Sequence, residues 1–176
     1  RDIPSYHVVE GNRRTSLRQD VQRELQRRGT ACRCIRCREV KGESVSSAEL
    51  AFSDYVYQPL TSEEHFLSYT TPEDRLAGYL RLSFALPGAP DLAIPELDSA
   101  AIIREVHVYG QSLPVGTERD GAAQHSGLGT SLLDHASRIT RARGLSRLAV
   151  IAAVGTRAYY EKRGFHQQEL YMVKEL

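Results

Sequence analysis

The sequence predicts an α/β (α+β) fold, with a central, mostly antiparallel mixed sheet flanked by helices. Three observations predict it. Residues 48–109 are dominated by alternating or β-branched runs separated by turn residues. After Gly127-x-Gly129 the apolar period changes to that of an amphipathic helix. A buried apolar strand, a short helix and a last strand then follow.

Residues 15–28 read as a helix: Leu17, Val21 and Leu25 repeat at i, i+4 and i+8, Ser16 and Gln19 have capping-box spacing, and Gly29 stops it. Residues 48–58 carry strand formers. Residues 64–70 and 76–86 form an antiparallel pair joined by Thr71-Pro72-Glu73-Asp74, with Leu76, Gly78, Leu80, Leu82 and Phe84 on one face. Residues 101–109 are a central strand. Strict alternation puts Ile103, Glu105, His107 and Tyr109 on one face and Ile102, Arg104, Val106 and Val108 on the other. A glycine loop, Gln124-x-x-Gly127-x-Gly129, leads into a helix ending near Arg143, with Leu128, Leu132, Leu133, Ala136 and Ile139 as its apolar positions. Residues 146–153 form a buried strand, Thr156 to Lys162 a short helix, and Gly164 to Val173 one final strand.

Composition bounds the function. The 176 residues make one domain, or one with a small appendage, and 41% hydrophobic with 26% charged residues excludes wholesale disorder. No apolar run spans a membrane, and the start, Arg1-Asp2-Ile3-Pro4, carries no signal or transit pattern. Without a starting methionine the chain reads as a piece of a longer protein. The net charge of +1 hides an asymmetry: residues 1–42 hold 11 Lys+Arg against 5 Asp+Glu. This divides the chain into a basic, cysteine-containing segment at 1–47 and a ligand-binding domain at 48–176. The arginines from Arg13 to Arg38 suit a polyanion backbone or, equally, a solvated helix face.

All three cysteines, Cys32, Cys34 and Cys37, fall in one short loop. An odd number at that spacing is no disulfide framework and points to a reducing compartment and a metal. Three thiolates suit structural zinc with one further ligand, which the sequence leaves open between histidine (His7 or His65), a carboxylate and water.

A strand, a glycine turn and a helix start form an anion-binding device, because first-turn amides have no partners within the helix. Leu128, Gly129, Thr130 and Ser131 would present such amides, with Gln124 and Gly127 shaping the loop. There is no Gly-x-Gly-x-x-Gly and no Gly-Lys-[Ser/Thr]. With Tyr159-Tyr160-x-x-x-Gly164-Phe165 downstream, the pattern resembles the GNAT-like acetyltransferase fold. Arg104-Glu105-Val106-His107-Val108-Tyr109-Gly110, Val154-Gly155-Thr156-Arg157-x-Tyr159-Tyr160 and Tyr171-Met172-Val173-Lys174-x-Leu176 narrow this. They are similar to the C-terminal domain of the Elongator catalytic subunit family of tRNA-modifying acetyltransferases.

The resemblance implies acetyl-CoA as cosubstrate, its pyrophosphate on the glycine loop and Glu105, Val106, His107 and Val108 along it. Tyr160 would lie near the thioester, with Tyr159 in support, and Glu105 or His107 would be candidate bases. Read from the strand alone, Glu105 and His107 are equally a buried polar pair. The resemblance further implies an upstream radical S-adenosylmethionine domain with an iron–sulfur cluster, whose cysteine motif is absent here. The two domains together would form 5-carboxymethyluridine at the tRNA wobble position. The implied partners are tRNA, that upstream domain and, in some organisms, other Elongator subunits, with no membrane and a cytoplasmic location. Two other readings stay open: a conventional N-acetyltransferase acting on a protein lysine or small amine, and a non-catalytic zinc-stabilised RNA-binding module.

Overall fold

The computed structural model describes residues 4–14, 16–41, 45–109 and 123–176. The chain forms two compact units, Arg1–Arg38 and Glu39–Leu176.

The first unit holds helix α1, Leu17–Arg27, and the single turn α2, Ile35–Arg38. Ser16 stands at the N-cap of α1 but its side chain makes no capping hydrogen bond, so the capping box read from the sequence is not formed. Gly29 takes φ +65°, and the amides of Gly29 and Thr30 close the helix on Gln26 and Leu25. No residue of α1 is buried.

The second unit is a seven-stranded sheet in the order β1-β2-β3-β4-β5-β7-β6. Its strands are β1 Ala51–Tyr57, β2 Ser62–Thr70, β3 Leu76–Ala85, β4 Ala100–Val108, β5 Arg147–Val150, β6 His166–Gln167 and β7 Met172–Glu175. β1 to β4 are antiparallel neighbours. β4 and β5 are parallel, as they must be when helix α3, Ala123–Ala142, carries the chain between them. Helix α4, Arg157–Glu161, follows β5. The expected architecture, a mostly antiparallel mixed sheet with flanking helices, is borne out.

The main core lies between α3 and the sheet. Leu132, Leu133 and Ala136 pack on Leu67, Leu80, Leu82 and Ile103, with Ile139 against them, the helix face expected from periodicity. Full burial of each leucine contributes roughly 1.5–3 kcal/mol. Leu128 joins a second cluster with Val40, Val45 and Ala77. Val40 is pinned there by its amide N–H, which donates a hydrogen bond to the Leu76 carbonyl.

Two local readings are corrected. β4 is not a strictly alternating strand. Glu105 pairs with Arg81 but Ile103 pairs with Leu82, so the register slips across Arg104. The slip turns Ile103 into the main core, on the side of Val106 rather than of Glu105. The expected strand from Gly164 to Val173 is a hairpin instead. Its turn is closed by the Gln168 amide on the Tyr171 carbonyl and held by the buried Glu96 carboxylate, which accepts the Leu170 amide at 2.8 Å. That hydrogen bond, first among several backbone donors, holds the Glu96 carboxyl below its usual value.

Candidate functional site

The site assembles where α4 meets the start of α3. The turn that follows α4 ends in Gly164 at φ +84°, a conformation glycine adopts without strain, and the Phe165 amide returns to the Tyr160 carbonyl. Adjacent tyrosines on one helix must point apart, and they do. Tyr160 is buried in the main core, edge-on to Phe165 at 5.4 Å. Tyr159 instead lays its hydroxyl against Gly129, where a Cβ would collide with it and would also touch Val108 Cγ2 at 3.6 Å. Burial is the first cause that raises both phenols above the usual tyrosine value.

Arg163 completes this corner. Its guanidinium carbon lies 3.6 Å from the centre of the Tyr159 ring. Nε and Nη2 donate to Thr130 Oγ1 at 3.1 and 2.9 Å, and Nη1 donates to the Tyr159 carbonyl at 2.8 Å. Sequence reasoning did not name Arg163. The usable signal was its spacing: four residues after Tyr159, it lies over that residue on a helical path.

The glycine segment takes a different form from the expected loop. α3 begins at Ala123, so Gln124 and Gly127 lie within its opening turns. The leading N–H groups are therefore those of residues 123–126, and Leu128, Gly129, Thr130 and Ser131 lie deeper in the helix. The Gln124 side chain and the preceding residues 110–122 lie outside the described residues. Ser131 is turned toward the sheet, where its Oγ meets the Tyr69 hydroxyl at 2.6 Å.

β4 divides its site residues between two faces. Val106 packs against the main core and Val108 approaches Gly129. Glu105 and His107 alternate to the opposite face. There Glu105 accepts from Arg81 Nη1 at 3.3 Å, while His107 stacks on Tyr79 at 5.1 Å. His107 Nε2 is 4.0 Å from Glu105 Oε1. Burial pushes the Tyr79 phenol up to about 12. The structure thus brings Val108, Gly129, Thr130 and Tyr159 together, seats Tyr160 beneath them in the core, and sets Glu105 and His107 apart on the other side of β4.

In the first unit, the sulfurs of Cys32, Cys34 and Cys37 lie within 4.8 Å of one another. The Cys37 amide caps back to the Cys34 carbonyl at 3.0 Å, which folds the loop around the sulfurs. That same Cys37 backbone N–H is the leading cause that lowers the Cys34 thiol to about 7, while the hydrogen bond with Cys34 raises Cys37. Arg18 Nη2 is 3.3 Å from Cys37 Sγ. Among the described residues no fourth metal-binding side chain joins the three cysteines. His65 is engaged elsewhere: Nδ1 faces Asp54 at 2.9 Å and Nε2 faces Glu63 at 3.0 Å. Arginines of α1 and its C-cap pair locally, Arg23 with Asp20 and both Arg27 and Arg28 with Glu24, the arginines exposed and the carboxylates partly covered.

No family model matches the chain. Individual relatives do. The chain is 38% identical over 183 residues to a tRNA uridine(34) acetyltransferase of Dehalococcoides mccartyi, covering 100% of this chain and 39% of that protein. It is 40% identical over 185 residues to Elongator complex protein 3 of Danio rerio, again across 100% of this chain but only 33% of the relative. The chain therefore spans between a third and two fifths of the length of these curated relatives. The structure of the archaeal Methanocaldococcus infernus Elp3 superimposes with a TM-score of 0.78 at 30% identity, covering 100% of this chain and 43% of that one. Matched from end to end to the C-terminal portion of these proteins, the chain belongs to the Elongator complex protein 3 family.

Proposed function

We propose that this chain is the acetyl-CoA-binding acyltransferase domain of a tRNA-modifying enzyme. The observation that carries the reading is the packing of the Tyr159 hydroxyl on Gly129, which brings a phenol to the second turn of α3. A helix start favours the pyrophosphate, and a phenol nearby can hydrogen-bond the thioester or protonate the departing thiolate. The leading N–H groups of α3, at residues 123–126, are the proposed phosphate site, with Gln124 and Gly127 in its opening turns, Gly129 and Thr130 between it and Tyr159, and Val106 and Val108 along the pantetheine arm; Leu128 and Ser131, turned to the core and the sheet, support the helix. Tyr159 and Tyr160 are the proposed proton donors, and the geometry favours Tyr159 because Tyr160 is enclosed by the core. Glu105 and His107 are proposed for the acceptor side, since they face away from Tyr159.

In the whole protein the acceptor would be the wobble uridine of tRNA, converted to 5-carboxymethyluridine in the cytoplasm. An upstream radical S-adenosylmethionine domain with its iron–sulfur cluster would supply the carbon chemistry. The basic segment 1–47 would meet the tRNA backbone, and its three cysteines would hold a structural zinc. Three clustered sulfurs, one of them with a thiol lowered to about 7, are a donor set that suits that ion. Assembly with other Elongator subunits belongs to the same proposal.

Labelled acetyl-CoA offered with tRNA, a lysine-containing peptide or a polyamine tests the reading. Consumption that depends on tRNA is expected. Efficient acetylation of peptide or polyamine without tRNA would make this a conventional N-acetyltransferase. An absence of acetyl-CoA binding would leave the RNA-binding module.

A further inference from the structure

We propose that Arg163 is the positioning residue of the acetyl-CoA site: its guanidinium joins Thr130 on α3 to the ring and carbonyl of Tyr159 on α4, and so sets the phenol relative to the phosphate end. The inference rests on the reading of the site given above and goes beyond it.

Phosphate and thioester groups of one acetyl-CoA must be met by two different helices. α3 carries the glycine segment and α4 carries the tyrosines, and they belong to separate stretches of chain. α4 is only five residues long, too short to hold its orientation by its own hydrogen bonds. Three contacts of Arg163 supply what is missing. Two parallel N–H groups grip Thr130 Oγ1, a third takes the Tyr159 carbonyl, and the planar group lies on the Tyr159 ring. Thr130 directly follows Gly129, the residue on which the Tyr159 hydroxyl rests. Arg163, Thr130, Gly129 and Tyr159 therefore close a ring of contacts that fixes the ring in tilt as well as distance. Lysine cannot reproduce it, because an ammonium is a point donor that neither forks nor stacks in this way.

The geometry also separates positioning from direct phosphate binding. At least three of the five guanidinium N–H groups are spent on Thr130 and Tyr159. Arg163 then acts on the ligand through Tyr159 rather than by charge alone.

Calorimetric titration of the wild-type chain, Arg163→Lys and Arg163→Met with acetyl-CoA, and separately with adenosine 3′-phosphate 5′-diphosphate, tests this. The nucleotide carries the phosphates but no pantetheine or thioester. Both variants should weaken acetyl-CoA by about tenfold and leave the nucleotide within about twofold, since misplacing a contact group by an ångström costs that much or more. Their unfolding midpoints, recorded in parallel, should stay near the wild type, which excludes loss of fold. Equal losses for both ligands in Arg163→Met, with Arg163→Lys normal, would make Arg163 a phosphate ligand and overturn the proposal. Unchanged acetyl-CoA affinity in both variants would overturn it while leaving the site reading intact. A wild-type chain that binds neither ligand would remove the site reading and this inference with it.

Discussion

The Tyr159 hydroxyl occupies the space that a side chain at Gly129 would need. That contact joins two segments 30 residues apart and makes a sharp prediction. In an unobstructed helix, Gly→Ala adds about 1 kcal/mol of stability. Here Gly129→Ala should instead be neutral or destabilising, because the tyrosine is held by the Arg163 stack and cannot simply swing away. Tyr159→Phe removes the colliding oxygen and leaves the ring carbon at 3.5 Å from the new methyl, an ordinary contact. The expected outcome is a sign change: Gly129→Ala stabilises the Tyr159→Phe background and not the wild type. Denaturant unfolding of the four proteins checks it, and equal effects in both backgrounds would contradict the contact.

Alkaline stability should fall as the buried phenols ionise. Tyr79 is pushed up to about 12, and Tyr109, Tyr159 and Tyr160 are also raised, each chiefly by burial. A raised value means that the folded state keeps its proton where the unfolded state has lost it. Their contribution is thus complete below the ordinary tyrosine value of about 10 and is lost as pH rises through the folded values. Thermal midpoints should decline between about pH 10 and pH 12, and absorbance titration should show a late-ionising fraction that becomes normal in denaturant.

The acid side has the opposite sign. Glu63 is lowered first by the Gln58 hydrogen bond, with Arg143 and His65 adding to it, and Glu96 by the Leu170 amide. Both favour the folded state above the ordinary carboxylate value, and that contribution disappears as pH falls through their depressed values. Glu96→Gln should flatten the acid limb of the stability profile, and hydrogen exchange should show the β6–β7 turn opening first.

Cys34, lowered to about 7, should be the fastest of the three thiols to alkylate near neutral pH in metal-free protein. One equivalent of zinc should suppress the reaction at all three cysteines, as mass spectrometry of the labelled peptides would show. Unchanged labelling with zinc present would argue that the cluster holds no metal.

Core substitutions in α3 calibrate these effects. Leu132 is fully buried, and Leu132→Ala should cost about 2–5 kcal/mol in equilibrium unfolding.

Much of this was legible in the sequence. The apolar period of α3 named its buried face, because burial on one face is what that period encodes; the alternation of β3 named Leu76, Leu80, Leu82 and Phe84 but not Ala77, Tyr79 and Ser83, which are buried as well. The slip at Arg104 was not legible. A bulge inserts a residue without changing composition, so the faces of Ile102 and Ile103 were exchanged. The hairpin from His166 to Glu175 was hidden because its turn is held by Glu96, a residue distant in sequence. At the candidate site the tyrosine pair and the glycines stood out as motifs. Which tyrosine faces Gly129 is decided by the packing of Phe165 on Tyr160, a tertiary contact. Arg163 escaped notice because its spacing of four from Tyr159 is shared by chance among many arginines and gains meaning only once Thr130 and Tyr159 are placed around it.

Calorimetric titration of the chain with acetyl-CoA tests the proposed cosubstrate site most directly. Saturable binding at one site per chain is expected, abolished by Gly129→Glu, which puts bulk and negative charge where the Tyr159 hydroxyl sits, one turn from the proposed pyrophosphate site. The absence of saturable binding by the wild-type chain, or equal binding by Gly129→Glu, would contradict it.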